Sequence, residues 1–117
     1  MLFLEYPPCT TCKKAKKWLT DHELDFTARH IKEENPTAAE ISLWQEKSGL
    51  ELKKFFNTSG LVYKNLGLKD KLPHMSRQEQ LDLLASDGML VKRPILVTED
   101  TVLVGFREAQ WEQLLQK

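Results

Sequence analysis

Residues 6–19 read YPPCTTCKKAKKWL. Upstream, LFLEY (2–6) is short, apolar and aromatic, and the Pro7–Pro8 pair stops it, so it reads as a buried strand. Downstream, from Cys9 to about Thr20, the periodicity becomes helical. Ala15, Trp18 and Leu19 share one face, and Lys13, Lys14, Lys16 and Lys17 share the other. The only two cysteines of the chain therefore fall where a strand hands over to a helix. A CxxC motif after a first strand and opening a first helix is the setting a redox pair needs.

The elements that follow are compatible with that beginning. ELDFTARHI (23–31) alternates, with Leu24, Phe26, Ala28 and His30 against Asp25, Thr27 and Arg29, and reads as a second strand. EENP then breaks the chain. Thr37 is placed as an N-cap with Glu40 as its capping-box partner, for a helix from Ala38 to about Lys47 that Gly49 ends. From about Leu50 to Leu72, short helical pieces are broken by NTSG and LGLKDKLP. Ser76 with Glu79 repeats the capping box ahead of a helix that stops at Gly88. PILVTEDTVLVGF (94–106) is two apolar runs around Glu99–Asp100, a β-hairpin. EAQWEQLLQK closes the chain as a helix with Ala109, Trp111 and Leu114 inward. A βαβ start with a ββα end predicts an α/β fold, a mixed four-stranded sheet flanked by helices. That is the thioredoxin plan, here a single domain over residues 1–117 with a helical insertion at about 36–88.

Composition narrows the function classes. With 17 basic and 17 acidic residues the formal net charge is zero, which argues against non-specific attraction to nucleic acid or acidic membrane. No apolar run approaches the roughly 20 residues of a membrane span. The start, MLFLEYPP, lacks the basic n-region of a secretory signal, so the expected location is the cytoplasm. Static structural disulfides are rare there, which raises the weight of a reactive or metal-binding role for the cysteines.

A helix N-terminus carries unpaired N–H groups and the positive end of the helix dipole, and both stabilise a thiolate. Cys9 sits at that end, within reach of the N–H groups of Thr11 and Cys12, and Lys13 adds positive charge one turn on. Cys12 lies inside the first turn and is the better resolving thiol. A disulfide between them would need a tightened first turn, which suits a labile, reversible bridge. The same pattern also fits two inert packing cysteines or, less well, part of a metal site. Structural zinc needs four ligands, and His22, His30 and His74 show no ligand spacing. His22 reads as a solvated helix-end residue, His30 as a strand-end residue and His74 as a loop residue. Arg93 precedes Pro94 at the start of a strand, where a cis bond would make a tight turn. Arg107 follows a strand and opens the last helix. Arginine's planar fork of donors suits oxyanions, although both residues also fit plain solvated loop arginines. The four lysines of the first helix read as a solvated face rather than a nucleic-acid patch.

YPPCTTCKKAKKWL, FFNTSGLVYKNL, VKRPILV and LVGFRE occur in this order. Taken together they resemble the glutaredoxin-dependent arsenate reductase family, which includes the Spx regulators, from about residue 3 to 115. The resemblance implies a thioredoxin-like fold with an inserted helical subdomain. It places the family's nucleophile on Cys9, its Arg-Pro on Arg93–Pro94 with a cis proline, and an anion-binding arginine on Arg107. Thr10 and Thr11, between the cysteines, complete the substrate-binding candidates. A further anion-binding arginine of the reductases falls on Ser59 and does not carry over. The reductases proper use one cysteine and external thiols, whereas Cys9 with Cys12 is similar to the redox switch of Spx-type regulators. The resemblance implies no metal and no bound cofactor. It implies a small oxyanion or disulfide substrate and an external thiol reductant, glutathione with glutaredoxin or thioredoxin. In the regulator alternative the partner is RNA polymerase.

Overall fold

A computed structural model describes residues 1–115 of the chain. Its sheet has four strands, β1 (Leu2–Glu5), β2 (Thr27–His30), β3 (Ile95–Val97) and β4 (Val102–Val104). The spatial order is β2-β1-β3-β4, with β1 parallel to β2 and the other pairs antiparallel. Helix α1 (Thr10–Asp21) crosses between the two parallel strands. Helices α2 (Ala38–Ser48), α3 (Leu61–Asn65), α4 (Leu68–Lys71) and α5 (Arg77–Ser86) fill the connection from β2 to β3, and α6 (Glu108–Leu115) follows β4. This is the expected α/β, thioredoxin-like arrangement.

Strand alternation sorts the core into two layers. Phe3, Leu96 and Leu103 point to one face, where Ala15, Trp18 and Leu19 of α1 and Trp111 of α6 cover them. Leu4, Ile95 and Val102 point to the other, against Ile41 and Trp44 of α2 and the helical connection. Local chemistry fixes the helix ends. Both capping boxes form: Thr37 and Ser76 accept from the N–H of Glu40 and Glu79, whose carboxylates return to the cap N–H groups. Gly49 ends α2 in the left-handed region at φ 70, where a Cβ would be strained. Gly88 is needed for a different reason: a Cβ there would collide with the Ile31 carbonyl.

Two expectations need correction. The second strand begins at Thr27, not Glu23, and Ala28 is exposed. β2 is an edge strand, so Leu24 and Phe26 bury into the α1 layer from an irregular segment without joining the ladder. On α6, Ala109 and Leu114 face solvent, and Trp111 with Leu115 turns inward. That helix has one buried anchor, and its direction is set by Trp111 meeting Trp18 and Phe106 edge-to-face at 5.7 and 4.8 Å between centroids.

Candidate active site

β1 stops at Glu5, and Tyr6-Pro7-Pro8-Cys9 turns the chain, closed by the Cys9 N–H on the Tyr6 carbonyl at 2.8 Å. Proline presets the backbone there and forfeits no ladder bond. Cys9 becomes the N-cap of α1, and its carbonyl accepts from the Lys13 N–H at 3.0 Å. Its thiol is partly exposed, whereas Cys12 is fully buried one turn in, and both are free thiols.

The two sulfurs are tuned in opposite directions. Burial opposes ionisation of Cys9, but the N–H of Cys12, the Cys12 thiol and the Arg93 guanidinium outweigh it and hold the pKa below the ordinary thiol value. Burial, together with the facing Cys9 sulfur, pushes Cys12 up to about 12 against the opposing pull of the Tyr6 N–H and Arg93. Arg93, not Lys13, supplies the positive charge that acts on Cys9.

Arg93 reaches this position through the loop before β3, across a cis Arg93–Pro94 peptide. Its guanidinium lies over the Tyr6 ring, 5.0 Å from the centroid, within cation–π range. Nε and Nη1 are buried without a hydrogen-bond partner among the described residues. The Tyr6 ring in turn meets His30 edge-on at 5.8 Å. The sequence reading did not assign Tyr6 a role at the site. An aromatic residue just before the CxxC turn was the available signal, but its contact with Arg93 spans 87 positions.

The remaining candidates divide. Thr11, Arg93 and Arg107 line one cleft of about 900 Å³, whose lining does not include Cys9 or Cys12. Arg107 stands on its wall, exposed, apart from the groups that tune Cys9. Thr10 is exposed and is not part of the cleft lining. Ser59 is also exposed and outside it, with its hydroxyl turned to the Asn57 side chain at 3.4 Å, while its neighbour Thr58 lines the cleft. The histidines stay scattered. His22, expected to be solvated, is half-buried and stacks on Trp18 at 3.9 Å between centroids. His30 Nδ1 accepts the N–H groups of Lys32 and Glu33. His74 is exposed in a 3-10 turn. Of the four lysines on α1, Lys16 pairs with Glu5 at 3.0 Å and Lys17 with Asp21 at 2.7 Å. Among the described residues, no group of three or more His, Cys, Asp or Glu side chains comes together to hold a metal ion. No described helix is long and apolar enough to cross a membrane.

The ArsC family model matches residues 4–114. The chain belongs to the ArsC family. Within it, the chain is 55% identical over 113 residues to the uncharacterized protein YusI of Bacillus subtilis strain 168, covering 97% of this chain and 96% of that one. It is 32% identical to the global transcriptional regulator Spx of Enterococcus faecalis, covering 95% of this chain and 83% of Spx. Among solved structures, an ArsC family related protein from Bacteroides fragilis superposes with a TM-score of 0.93 at 57% identity, over 97% and 95% of the two chains. A possible arsenate reductase from Streptococcus mutans UA159 gives 0.84 at 55%, over 91% and 90%. The family fold is that of a thiol oxidoreductase, and the CxxC turn and the Arg93–Pro94 loop lie within the matched span.

Proposed function

We propose that the protein is a thiol-dependent reductase in which Cys9 attacks a small oxyanion of the arsenate type and Cys12 resolves the intermediate. One observation carries the reading: a cysteine held toward its thiolate beside an arginine that keeps two buried donors without a protein partner. Buried donors of this kind cost free energy unless a ligand satisfies them, and an oxyanion does so while sharing the arginine's charge. A likeness to a possible arsenate reductase supports the same substrate class.

In the first step the Cys9 thiolate forms a bond to the central atom of the oxyanion, and one oxygen leaves as water after protonation. In the second, a thiolate attacks the Cys9 sulfur. The bond from sulfur to the central atom breaks, its electron pair stays on that atom, which is reduced by two electrons, and a disulfide forms. Cys12 suits this second step. Burial is the chief cause that keeps Cys12 protonated, and the charge of a Cys9 thiolate adds to it. Once Cys9 is bonded that charge is gone, and Arg93 still favours ionisation. An external thiol reductant, glutathione with glutaredoxin or thioredoxin, then reduces the Cys9–Cys12 disulfide, and no bound cofactor takes part. Arg93 is the main oxyanion ligand, with Thr11 and Arg107 along the cleft as further contacts.

A second reading rests on the Cys9–Cys12 pair and the likeness to Spx: a regulator that senses oxidation through this disulfide and binds RNA polymerase. One paired experiment separates the two. Arsenate reduction is measured with glutathione and glutaredoxin, beside a pulldown with RNA polymerase. Turnover that vanishes in Cys9→Ser supports the reductase. Wild-type turnover equal to that of Cys9→Ser, together with oxidation-dependent retention of RNA polymerase, replaces it with the regulator.

A further inference from the structure

Tyr6 meets every part of the thiol site. Its carbonyl accepts the Cys9 N–H at 2.8 Å, its N–H faces the Cys12 sulfur, and the Arg93 guanidinium lies over its ring, 5.0 Å from the centroid. The first two contacts belong to the main chain and do not depend on the side chain. Only the third needs an aromatic residue. The ring is itself held in place. His30 meets it at 5.8 Å between centroids with the planes at 87°. His30 Nδ1 in turn accepts the N–H groups of Lys32 and Glu33 at 3.2 and 3.1 Å. The turn after β2 therefore orients His30, His30 backs the Tyr6 ring, and the ring supports Arg93.

The kind of support matters. A carboxylate holds an arginine firmly, but it neutralises the charge and occupies the donors, as Glu40 does to Arg29. A backbone carbonyl leaves the charge and still takes a donor. An aromatic face attracts the cation through the ring quadrupole and adds no opposing charge. Arg93 is in this last situation. Among the described residues no carboxylate pairs with it, and its Nε and Nη1 keep no hydrogen-bond partner.

We propose that Tyr6 is the positioning residue for Arg93: its ring holds the guanidinium while leaving the positive charge free to act on Cys9 and the donors free for the substrate oxyanion. The second half of this assignment rests on the reading of Arg93 as the oxyanion ligand. The first half, the hold on Arg93, stands on the geometry of the unliganded site. Cys12 and Arg93 are the groups that act on the Cys9 thiol, so a displaced Arg93 is read directly at Cys9.

The test follows alkylation of Cys9 by iodoacetamide against pH, in the full chain and without turnover. Tyr6→Leu should move the profile to higher pH and slow the reaction at a fixed pH below the midpoint by about three- to tenfold, the range a partly buried cation–π contact supports. Tyr6→Phe keeps the ring and should restore the wild-type profile. In an Arg93→Ala background, Tyr6→Leu should add no further shift. An equal shift in both backgrounds would make Tyr6 plain packing for the turn, and an unchanged profile in Tyr6→Leu would overturn the assignment outright. Should Tyr6→Leu not fold, replacement of Tyr6 by pentafluorophenylalanine keeps the ring's shape and removes the negative face. It should reproduce the shift, and behaviour identical to Tyr6→Phe would overturn the cation–π hold. Inorganic arsenate, added without a thiol reductant, supplies the second readout. It should protect Cys9 from alkylation, with an apparent affinity about three- to tenfold weaker in Tyr6→Leu. A shifted Tyr6→Leu profile with no arsenate protection of the wild type would uphold Tyr6 as the support of Arg93 and remove the oxyanion reading instead.

Discussion

Arg29 and Arg93 both bring a guanidinium out of water beside the central sheet, and their surroundings differ completely. Arg29 uses every nitrogen. Nε donates to the Glu34 carbonyl at 2.8 Å, Nη1 to Glu40 at 2.7 Å, and Nη2 to Glu40 at 3.0 Å and the Asn35 carbonyl at 3.2 Å. Glu40 is at the same time the capping-box carboxylate of α2, so one ion pair ties β2 to the start of the helical connection. Arg93 has an aromatic ring and a thiol for neighbours, and two of its donors have no protein partner. A buried donor left unpaired costs about 1–3 kcal/mol, which folding alone gives no reason to keep. The contrast separates a residue that completes the fold from one held ready for a ligand, and each of the following predictions tests that division.

The largest effect belongs to the sulfur beside Arg93. Cys9→Ser should reduce thiol-dependent turnover to background with the fold unchanged by circular dichroism. Cys12→Ser should still attack substrate but fail to close the bridge. After mild peroxide, mass spectrometry of the wild type should show a loss of two hydrogens within the 9–12 peptide, restored by a dithiol. A sulfonic acid on Cys9 with Cys12 untouched would remove the resolving step from the mechanism.

Next comes Arg93 itself. Arg93→Ala should lower oxyanion turnover roughly 10- to 100-fold, the worth of one charged hydrogen bond. It should also raise the pH at which Cys9 begins to react with an alkylating agent, because Arg93 is one of the groups that lower the Cys9 pKa. Cys12, at about 12, should stay unreactive at neutral pH in either protein. Arg29→Ala should leave the alkylation profile of Cys9 where it was. A shift of equal size in Arg29→Ala would erase the distinction between the two arginines.

A smaller effect, read in stability instead of turnover, is expected at the other corner. Hydrogen bonding from Arg29 comes first among the causes that hold Glu40 down to about 2, followed by the Thr37 N–H and then the Arg29 charge. The unfolded carboxylate titrates near 4.3, so the pairing stabilises fully above about that pH and is lost as pH falls through about 2. The pair is partly exposed, so about 1 kcal/mol is the reasonable scale. Urea unfolding between pH 7 and 2 should therefore show a steeper acid loss for the wild type than for Glu40→Gln. Parallel curves would make Arg29–Glu40 an ornament of the surface.

What was legible in the sequence was local. Thr37 with Glu40, Ser76 with Glu79 and Gly49 state helix ends within four residues, and the turn at Pro7–Pro8 places Cys9 at a helix start. The short apolar runs at 2–6 and 94–106 were enough for β1 and the β3–β4 hairpin, whereas the alternation read over 23–31 overran β2, which begins at Thr27. What was not legible depends on distant partners. Ala109 and Leu114 lie on plausible helical positions, but only Trp111 meets Trp18, and that contact fixes which face of α6 is buried. Arg29 finds Glu40 across a loop, and Tyr6 finds Arg93 only after β1 and β3 pair. The charge that tunes Cys9 was therefore assigned to Lys13, its neighbour in sequence, instead of Arg93, its neighbour in space.

The smallest expected effect concerns the position where the reductase pattern breaks. The resemblance puts an anion-binding arginine at Ser59, but Ser59 turns its hydroxyl to Asn57 and lies outside the cleft, whereas Thr58 lines it with Arg93 and Thr11. An arginine stabilises charge building on an attacked oxyanion only if its fork reaches those oxygens, so the side chain that faces the cleft has the advantage. Thr58→Arg should raise arsenate turnover several-fold, up to about tenfold, the scale of one charge-assisted contact made in part. Ser59→Arg should give less, because from outside the cleft the same side chain must bend back over the loop and gives up rotamer freedom to do so. Steady-state arsenate reduction by the wild type and both variants, each checked for an unchanged melting temperature, ranks the positions. A larger gain at Ser59 would mean that this loop rearranges when substrate binds. No gain at either would show that Arg93, Thr11 and Arg107 already supply all the oxyanion contacts this cleft can use.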